Sequence, residues 1–217
     1  MTDIGEIRRR LYSALISDAL DSVGYRDQAM HPGVRPLDDE SVLCGRARTG
    51  LYEATDSVAE WENPYELEIE LVDALRQDEI AALATGESRR IVPWGELLST
   101  AALVRKAGGC VTDGLARDVG KIRKMGFPVF CGGISPLDAR GRGKITQIDI
   151  PVIIGGVEVR PGDLIFGDVD GVLVIPRAVE DEVLKYALAK LDGESTTRAE
   201  LLQGASLAQV FSRHGIL

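Results

Sequence analysis

The stretch from Trp94 to Cys131 limits the fold most, because helical and strand patterns alternate in it at short intervals. Leu97, Leu98, Ala101 and Val104 recur at three-and-four spacing, which predicts an amphipathic helix over Trp94 to Lys106, and Pro93 stands where such a helix begins. Cys110 to Thr112 then predicts a strand, Asp118 to Met125 a short helix, and Pro128 to Cys131 the next strand. A strand-helix-strand rhythm of this kind closes through right-handed crossovers onto a parallel core. From Ile145 to Ile175 the pattern changes to short β-rich runs parted by Gly155-Gly156, Pro161-Gly162-Asp163 and Asp168 to Gly171, which predicts hairpins. A single α/β domain over 1-217, mixing parallel and antiparallel strands, follows from the two patterns together.

The flanks are simpler. Ile4, Ile7, Leu11 and Leu15 give Asp3 to Val23 a helical stripe, with a short break allowed near Ser13 to Ser17 and Gly24 as its stop. Pro and Gly between His31 and Arg46 indicate a loop that leads into a strand, Gly45 to Tyr52. Trp61 to Leu75 is acidic and helical in pattern. Glu79 to Thr85 fits a helix by its alanines and a buried strand by its shortness and apolar continuity. Helical segments are predicted over Ala178 to Leu191, Ser195 to Gln203 and Leu207 to Arg213.

A chain of 217 residues with 45% hydrophobic content supports one sizeable core. Its 25 Lys and Arg against 34 Asp and Glu leave a net charge of −9, which argues against a grip on nucleic acid. Arg8 to Arg10, and Arg140, Arg142 and Lys144, are expected to be solvated faces. Cys44, Cys110 and Cys131 lack metal-ligand spacing and are expected to be reduced and buried, in a cytoplasmic protein. No apolar run is long enough to span a membrane, and the opening residues lack the apolar stretch of a secretory signal. His31 and His214 have no ligand partner nearby in sequence, which sets aside a His-rich zinc site.

The chemistry concentrates between Gly108 and Pro128, where an apolar strand ends at Asp113-Gly114 and Arg117 stands beside Asp118. Arg offers a permanent fork of donors to carboxylate or enolate oxygens, and Asp is a hard ligand for Mg²⁺ or Mn²⁺. Alone, such a pair is more often a solvated surface pair worth little energy. Gly95, Glu96, Leu97 and Leu98 form the first turn of the predicted helix, whose free N–H groups suit an anion, although on these residues alone Glu96 is more simply an ordinary first-turn acid. Asp113 is expected to make an Asx-type turn that aims the loop after it. Asp168, Asp170 and Gly171 lack the spacing of a calcium loop and fit a hairpin turn.

Together, the segments Trp94–Ala102, Gly108–Pro128, Phe127–Phe130, Pro151–Pro176 and Gly204–Phe211, with Ile16–Gly24 near the start, resemble the RraA-like family. That family is named for a regulator of ribonuclease E activity and includes metal-dependent 4-hydroxy-4-methyl-2-oxoglutarate aldolases. The resemblance covers most of the chain and implies a swivelling β/β/α fold, with Glu79 to Thr85 as a strand. It implies a lyase that releases pyruvate from a 4-hydroxy-2-oxo acid, with oxaloacetate decarboxylation as a companion through the same enolate. By resemblance, the amides of Gly95 to Leu98 hold the substrate carboxylate, Asp118 ligates Mg²⁺ or Mn²⁺ directly or through water, and Arg117 reaches the 2-keto oxygen. Glu194 is then supplied by a neighbouring subunit of a homotrimer or homohexamer, in the outer shell of the metal.

No Schiff-base lysine is required by such a mechanism. No histidine lies in the motifs, which leaves a metal-organised water or Glu96 as the base. Thr112 replaces a usual aliphatic before Asp113, and the acidic stretch from Trp61 to Glu70 departs from the family pattern, bearing on the substrate more than on the chemistry. The competing reading is a non-catalytic regulator that binds a ribonuclease. Arg117 and Asp118 favour the enzyme, since a binding protein has no chemical need for them. A methyltransferase lacks support, because Gly132 to Gly143 is not the glycine-rich turn of a nucleotide site.

Overall fold

The computed structural model describes residues 3–215. In chain order the elements are α1 (Ile4–Arg10), α2 (Ser13–Ser22), β1 (Arg35–Pro36), β2 (Leu43–Ala54), α3 (Glu66–Asp73), β3 (Glu79–Ala84), α4 (Glu96–Val104) and β4 (Gly109–Thr112). They continue with β5 (Leu115–Ala116), α5 (Val119–Met125), β6 (Val129–Cys131), β7 (Gly133–Ile134), β8 (Gly143–Ile148), β9 (Val152–Ile154) and β10 (Val157–Val159). The β11 (Leu164–Asp168) and β12 (Gly171–Ile175) hairpin precedes α6 (Glu180–Leu202) and α7 (Leu207–His214).

The principal sheet runs β1-β6-β4-β3-β2-β11-β12, with β8 also paired to β2. Its β2-β3, β3-β4 and β4-β6 pairs are parallel, whereas β1-β6, β2-β11, β11-β12 and β2-β8 are antiparallel. This is the mixed α/β architecture expected, with Glu79–Ala84 settled as a central strand. Strand β3 shows no alternation of exposure, because helices and the β9-β10 hairpin cover both of its faces; all of its residues but Glu79 are buried. The hairpins at Gly155-Gly156 and Asp168–Gly171 form where their turn residues predict them.

Several elements depart from prediction for physical reasons. The first helix breaks at Leu11-Tyr12, ahead of Ser13 to Ser17, since the Asp168 carboxylate accepts hydrogen bonds from the Ser13 amide (2.8 Å) and hydroxyl (2.7 Å) and pins the start of α2. Helix α3 begins only at Glu66, after Asn63 accepts a bond from the Tyr65 amide in an Asx turn. Helix α6 runs through Gly193 and merges two predicted segments. An interior glycine costs only about 1 kcal/mol against alanine, which the packing of Val183, Leu184 and Ala187 outweighs. Arg8 is not a solvated residue; it donates to the Cys44 carbonyl (2.7 Å) and pairs with Asp78 (3.2 Å). The three cysteines are free and buried, as expected.

Helix α4 carries the most consequential departure. Its inward side is made by Ser99 and Ala102, whose small side chains let the helix lie close on the sheet, while Leu97 and Val104 are 75% and 77% exposed. The predicted apolar stripe is therefore split: Leu98 and Ala101 pack against the core, whereas Leu97 and Val104 point away from it. Periodicity cannot tell which side faces inward when a helix is apolar on more than one side.

Candidate active site

Two loops meet beyond the C-terminal ends of the central strands β3 and β4. Trp94 forms a one-residue parallel bridge with Ala116, and the Arg117 amide donates to the Trp94 carbonyl (3.0 Å). The bridge is rigid because the buried Trp94 indole donates to Ser99 Oγ (2.8 Å) and stacks on Phe127, with ring centroids 6.2 Å apart. It sets the first turn of α4 against the Arg117-Asp118 pair. Gly95 lets the two approach closely, since a Cβ there would lie 3.2 Å from both Arg117 Cγ and Asp118 Oδ2 and one of them would have to give way.

The turn before the pair is built differently from expectation. Asp113 makes no Asx turn; its buried carboxylate accepts from the Thr85 amide (2.7 Å), the Thr85 hydroxyl (2.9 Å) and the Glu87 amide (3.1 Å), tying the end of β3 to that of β4. Thr112 makes the local turn instead, through Oγ1 to the Gly114 amide (2.9 Å). The threonine that replaces an aliphatic thus has a structural role, and Asp113 remains structural, as favoured.

Asp118 begins α5 at φ +58°, in the left-handed region that a non-glycine residue enters only at a cost. Its side chain does not cap α5. The carboxylate lies instead over the start of α4, 3.5 Å from the Glu96 amide and 3.7 Å from Arg117 Nε. Arg117 is gripped from its other end by Asp138 at 3.2 Å, and Asp138 also accepts from the Tyr65 hydroxyl at 3.1 Å. Burial lifts the Asp138 carboxyl, but the Arg140 amide and the Arg117 charge outweigh it and hold the group below its ordinary value.

These groups border a cleft of about 310 Å³, of a size that suits a small organic acid. Gly95, Glu96, Leu97, Leu98, Arg117 and Asp118 all line it, so the structure brings together every site residue predicted within one chain. Tyr65, Glu68 and Asp138 also line it and were missed. A second cleft near Ser13, Met30 and Leu173 is similar in size but has Asp170 as its sole charged side chain.

Glu68 is 8% exposed, and burial pushes its carboxyl up to about 7, with Asp138 adding to the rise and the adjoining Tyr52 hydroxyl and the Arg117 charge opposing it. The sequence carried one sign of this: Glu68 shares a helical face with buried Leu71 and Val72, an acid on an apolar stripe. Glu96, the expected alternative base, is bonded to Thr100 (3.2 Å) and paired with Lys121 (3.8 Å). Glu194 lies outside this chain's cleft, on α6, where it accepts from the Tyr12 hydroxyl and pairs with Arg198 (3.6 Å).

Among the described residues, no cluster of three or more His, Cys, Asp or Glu side chains could cage a metal ion. A Mg²⁺-type ion needs less: one or two carboxylates, with water and substrate oxygens filling the rest of an octahedron. Asp118, 42% exposed and turned away from its own helix, is a hard anchor of that kind. The residues fit a water-rich site and do not fit a closed, all-protein one.

Comparisons with known proteins identify the family and the fold. A family model described as RraA-like (Aldolase/RraA) matches residues 13–174. A Halalkalibacterium halodurans protein named "Putative 4-hydroxy-4-methyl-2-oxoglutarate aldolase" is 34% identical over 192 residues, 88% of this chain and 85% of that protein. Protein DlpA of Legionella pneumophila is 30% identical over 197 residues, 91% of this chain; the match spans only 31% of DlpA's own length. The crystal structure of Streptomyces coelicolor RraAS2, titled an unusual member of the RNase ES inhibitor RraA protein family, superposes with a TM-score of 0.79 at 25% identity, covering 91% of this chain and 96% of that one. Among the described residues, no helix is long and apolar enough to cross a membrane.

Proposed function

The chain belongs to the RraA-like family, and we propose that it is a divalent-metal-dependent lyase, an aldolase that cleaves a 4-hydroxy-2-oxo acid of the 4-hydroxy-4-methyl-2-oxoglutarate kind to pyruvate. The observation that carries this reading is the Asp118 carboxylate. It is held in a strained backbone conformation, unused as a cap, and set beside Arg117 and the open end of α4 in one cleft. A solvated surface pair would require none of this.

Each group has a part in such a reaction. The Glu96 to Leu98 amides and the helix dipole receive the substrate carboxylate. Arg117 donates to the 2-keto oxygen, on which charge grows as the C3–C4 bond breaks, and Asp138 holds the guanidinium in place so that little reorganisation is needed. Asp118 would hold a Mg²⁺ or Mn²⁺ ion, which would supply Lewis-acid stabilisation of the developing negative charge. Oxaloacetate decarboxylation, which passes through the same pyruvate enolate, accompanies the aldol cleavage.

The assembly belongs to the same reading. The exposed stripe of Leu97 and Val104 on α4 supports a homotrimer or homohexamer, in which Glu194 of one subunit completes the outer shell at a neighbour's Asp118. Free, buried cysteines suit a reducing cytoplasmic setting, and a net charge of −9 suits a small-molecule partner over a nucleic acid.

The test is direct. Purified protein is supplied with Mg²⁺ or Mn²⁺ and a panel of 4-hydroxy-2-oxo acids and oxaloacetate, and pyruvate is measured. Release from at least one substrate is expected. Failure on the whole panel overturns the lyase reading and leaves the non-catalytic, protein-binding role of an RraA-type regulator.

A further inference from the structure

Aldol cleavage needs a group that removes the proton from the C4 hydroxyl, and of the two bases expected, a metal-organised water and Glu96, the carboxylate is already held by Lys121 and Thr100. The cleft holds four carboxyl groups. Asp118 and Asp138 both pair with Arg117, and Glu96 pairs with Lys121 and accepts from Thr100. Glu68 is the fourth, and among the described residues it takes part in no ion pair. It reaches the cleft from α3, lining it together with Tyr65, Ile69 and Arg117, and the Arg117 charge acts on it. Behind it the buried Tyr52 hydroxyl, from β2, has no partner meeting strict hydrogen-bond geometry and adjoins the Glu68 carboxyl.

We propose, on the basis of the lyase reading, that Glu68 is the catalytic base: its carboxylate accepts the C4 hydroxyl proton as the C3–C4 bond breaks. The step balances within the site. The C4–O bond becomes a carbonyl, the C3–C4 electron pair passes into the pyruvate enolate beside Arg117, and the proton rests on Glu68. The same carboxyl then returns that proton to C3 of the enolate, giving pyruvate and restoring the carboxylate. No external oxidant or reductant is involved, and Tyr52 steadies the charged form from behind.

Position in the cleft and freedom from an ion pair make the carboxyl available. Its burial makes it suitable, because a base works best when its proton affinity matches the working pH. The titratable and charged groups that act on it are Tyr52 from β2, Cys110 from β4, Arg117 after β5 and Asp138 ahead of β8, with Tyr65 on its own side. Arg117 and Tyr52 favour the carboxylate, whereas burial and Asp138 favour the acid, so the group titrates close to neutrality.

Oxaloacetate separates this role from the rest of the site, since its cleavage releases CO₂ and no C4 hydroxyl proton has to be removed. With Mg²⁺ present, Glu68→Gln should lower the release of pyruvate from a 4-hydroxy-2-oxo acid at least about a hundredfold, the usual scale for a lost general base. Oxaloacetate consumption, which counts bond breaking alone, should fall by a much smaller factor than aldol cleavage. Aldol cleavage by wild type should rise with pH and level off above about 7, and Tyr52→Phe, which keeps the ring and the Glu68 carboxyl, should move that limb to higher pH. Infrared titration of the metal-free protein should show one carboxyl protonating near 7 that is absent from Glu68→Gln. If wild type processes neither substrate, the lyase reading itself fails. If wild type processes both and Glu68→Gln retains aldol cleavage, or loses both activities equally, Glu68 is not the base.

Discussion

Replacing Glu68 by Gln should make the protein more stable, and only at neutral to alkaline pH. Burial raises the Glu68 carboxyl from its ordinary 4.5 to about 7 in the folded protein. Between these values the folded state holds a proton that the unfolded chain has released. Stability therefore falls as pH rises through this interval and levels off above it. At about 1.36 kcal/mol per pH unit, the interval corresponds to about 3 kcal/mol of destabilisation that wild type carries above pH 7. The side chain is almost entirely buried, so solvent screening removes little of this. Gln has nearly the same shape and no charge to desolvate. Urea unfolding of both proteins from pH 4.5 to 9 should show nearly equal stability at the acid end and a gain approaching about 3 kcal/mol for Glu68→Gln at pH 9. At roughly 2–4 °C per kcal/mol for a chain of this size, the thermal midpoints should part by several degrees. A difference that stays constant with pH, or a wild type more stable at pH 9, would refute the buried-carboxyl argument.

Arg117→Ala should lower kcat about a hundredfold or more in steady-state assays, with Arg117→Lys recovering part of it, because an ammonium lacks the planar fork that Asp138 now orients. An unchanged kcat would remove Arg117 from the chemistry. Asp113→Ala should destabilise the protein by about 2–4 kcal/mol in urea, as it strands the buried Thr85 amide and hydroxyl; a loss below about 0.5 kcal/mol would mean that water or a neighbour replaces the carboxylate. If Glu194 serves a neighbouring subunit, mixing Asp118→Ala with an impaired Glu194→Ala after mild dissociation should restore activity. A fully active monomer would contradict the shared site.

The parallel centre was legible because its evidence is local: a 3.6-residue period in α4, apolar runs in β4 and β6, and glycine turns at the hairpins. Gly95 to Leu98, Arg117 and Asp118 were legible for the same reason, being two contiguous motifs, and the Trp94-Ala116 bridge turns that adjacency in pattern into adjacency in space. What escaped is long-range. Asp138 reaches Arg117 from a loop after β7, and nothing in its neighbourhood announces the pairing. Glu68 looks like one acid in an acidic helix, since Glu is almost never buried without a partner; only its register with Leu71 and Val72 betrays it. Asp113 illustrates a subtler limit. Its structural role was foreseen, but its partners, Thr85 and Glu87, lie on another strand's end, and the local turn it was assigned belongs to Thr112. Side-chain periodicity likewise named the apolar residues of α4 without saying that Ser99 and Ala102 would be the ones to face inward.

The central claim is that one cleft joins the Asp118 carboxylate and Arg117 to metal-dependent carbon–carbon cleavage. The most direct measurement is pyruvate release from a 4-hydroxy-2-oxo acid by protein stripped with a chelator, then resupplied with Mg²⁺ or Mn²⁺, for wild type and Asp118→Asn in parallel. Stripped wild type should be inactive and recover with either ion, while Asp118→Asn should stay inactive at ion concentrations that saturate wild type, because a neutral amide is a far poorer ligand for a hard cation. Full turnover in excess chelator, or an Asp118→Asn protein as active as wild type, would contradict the account.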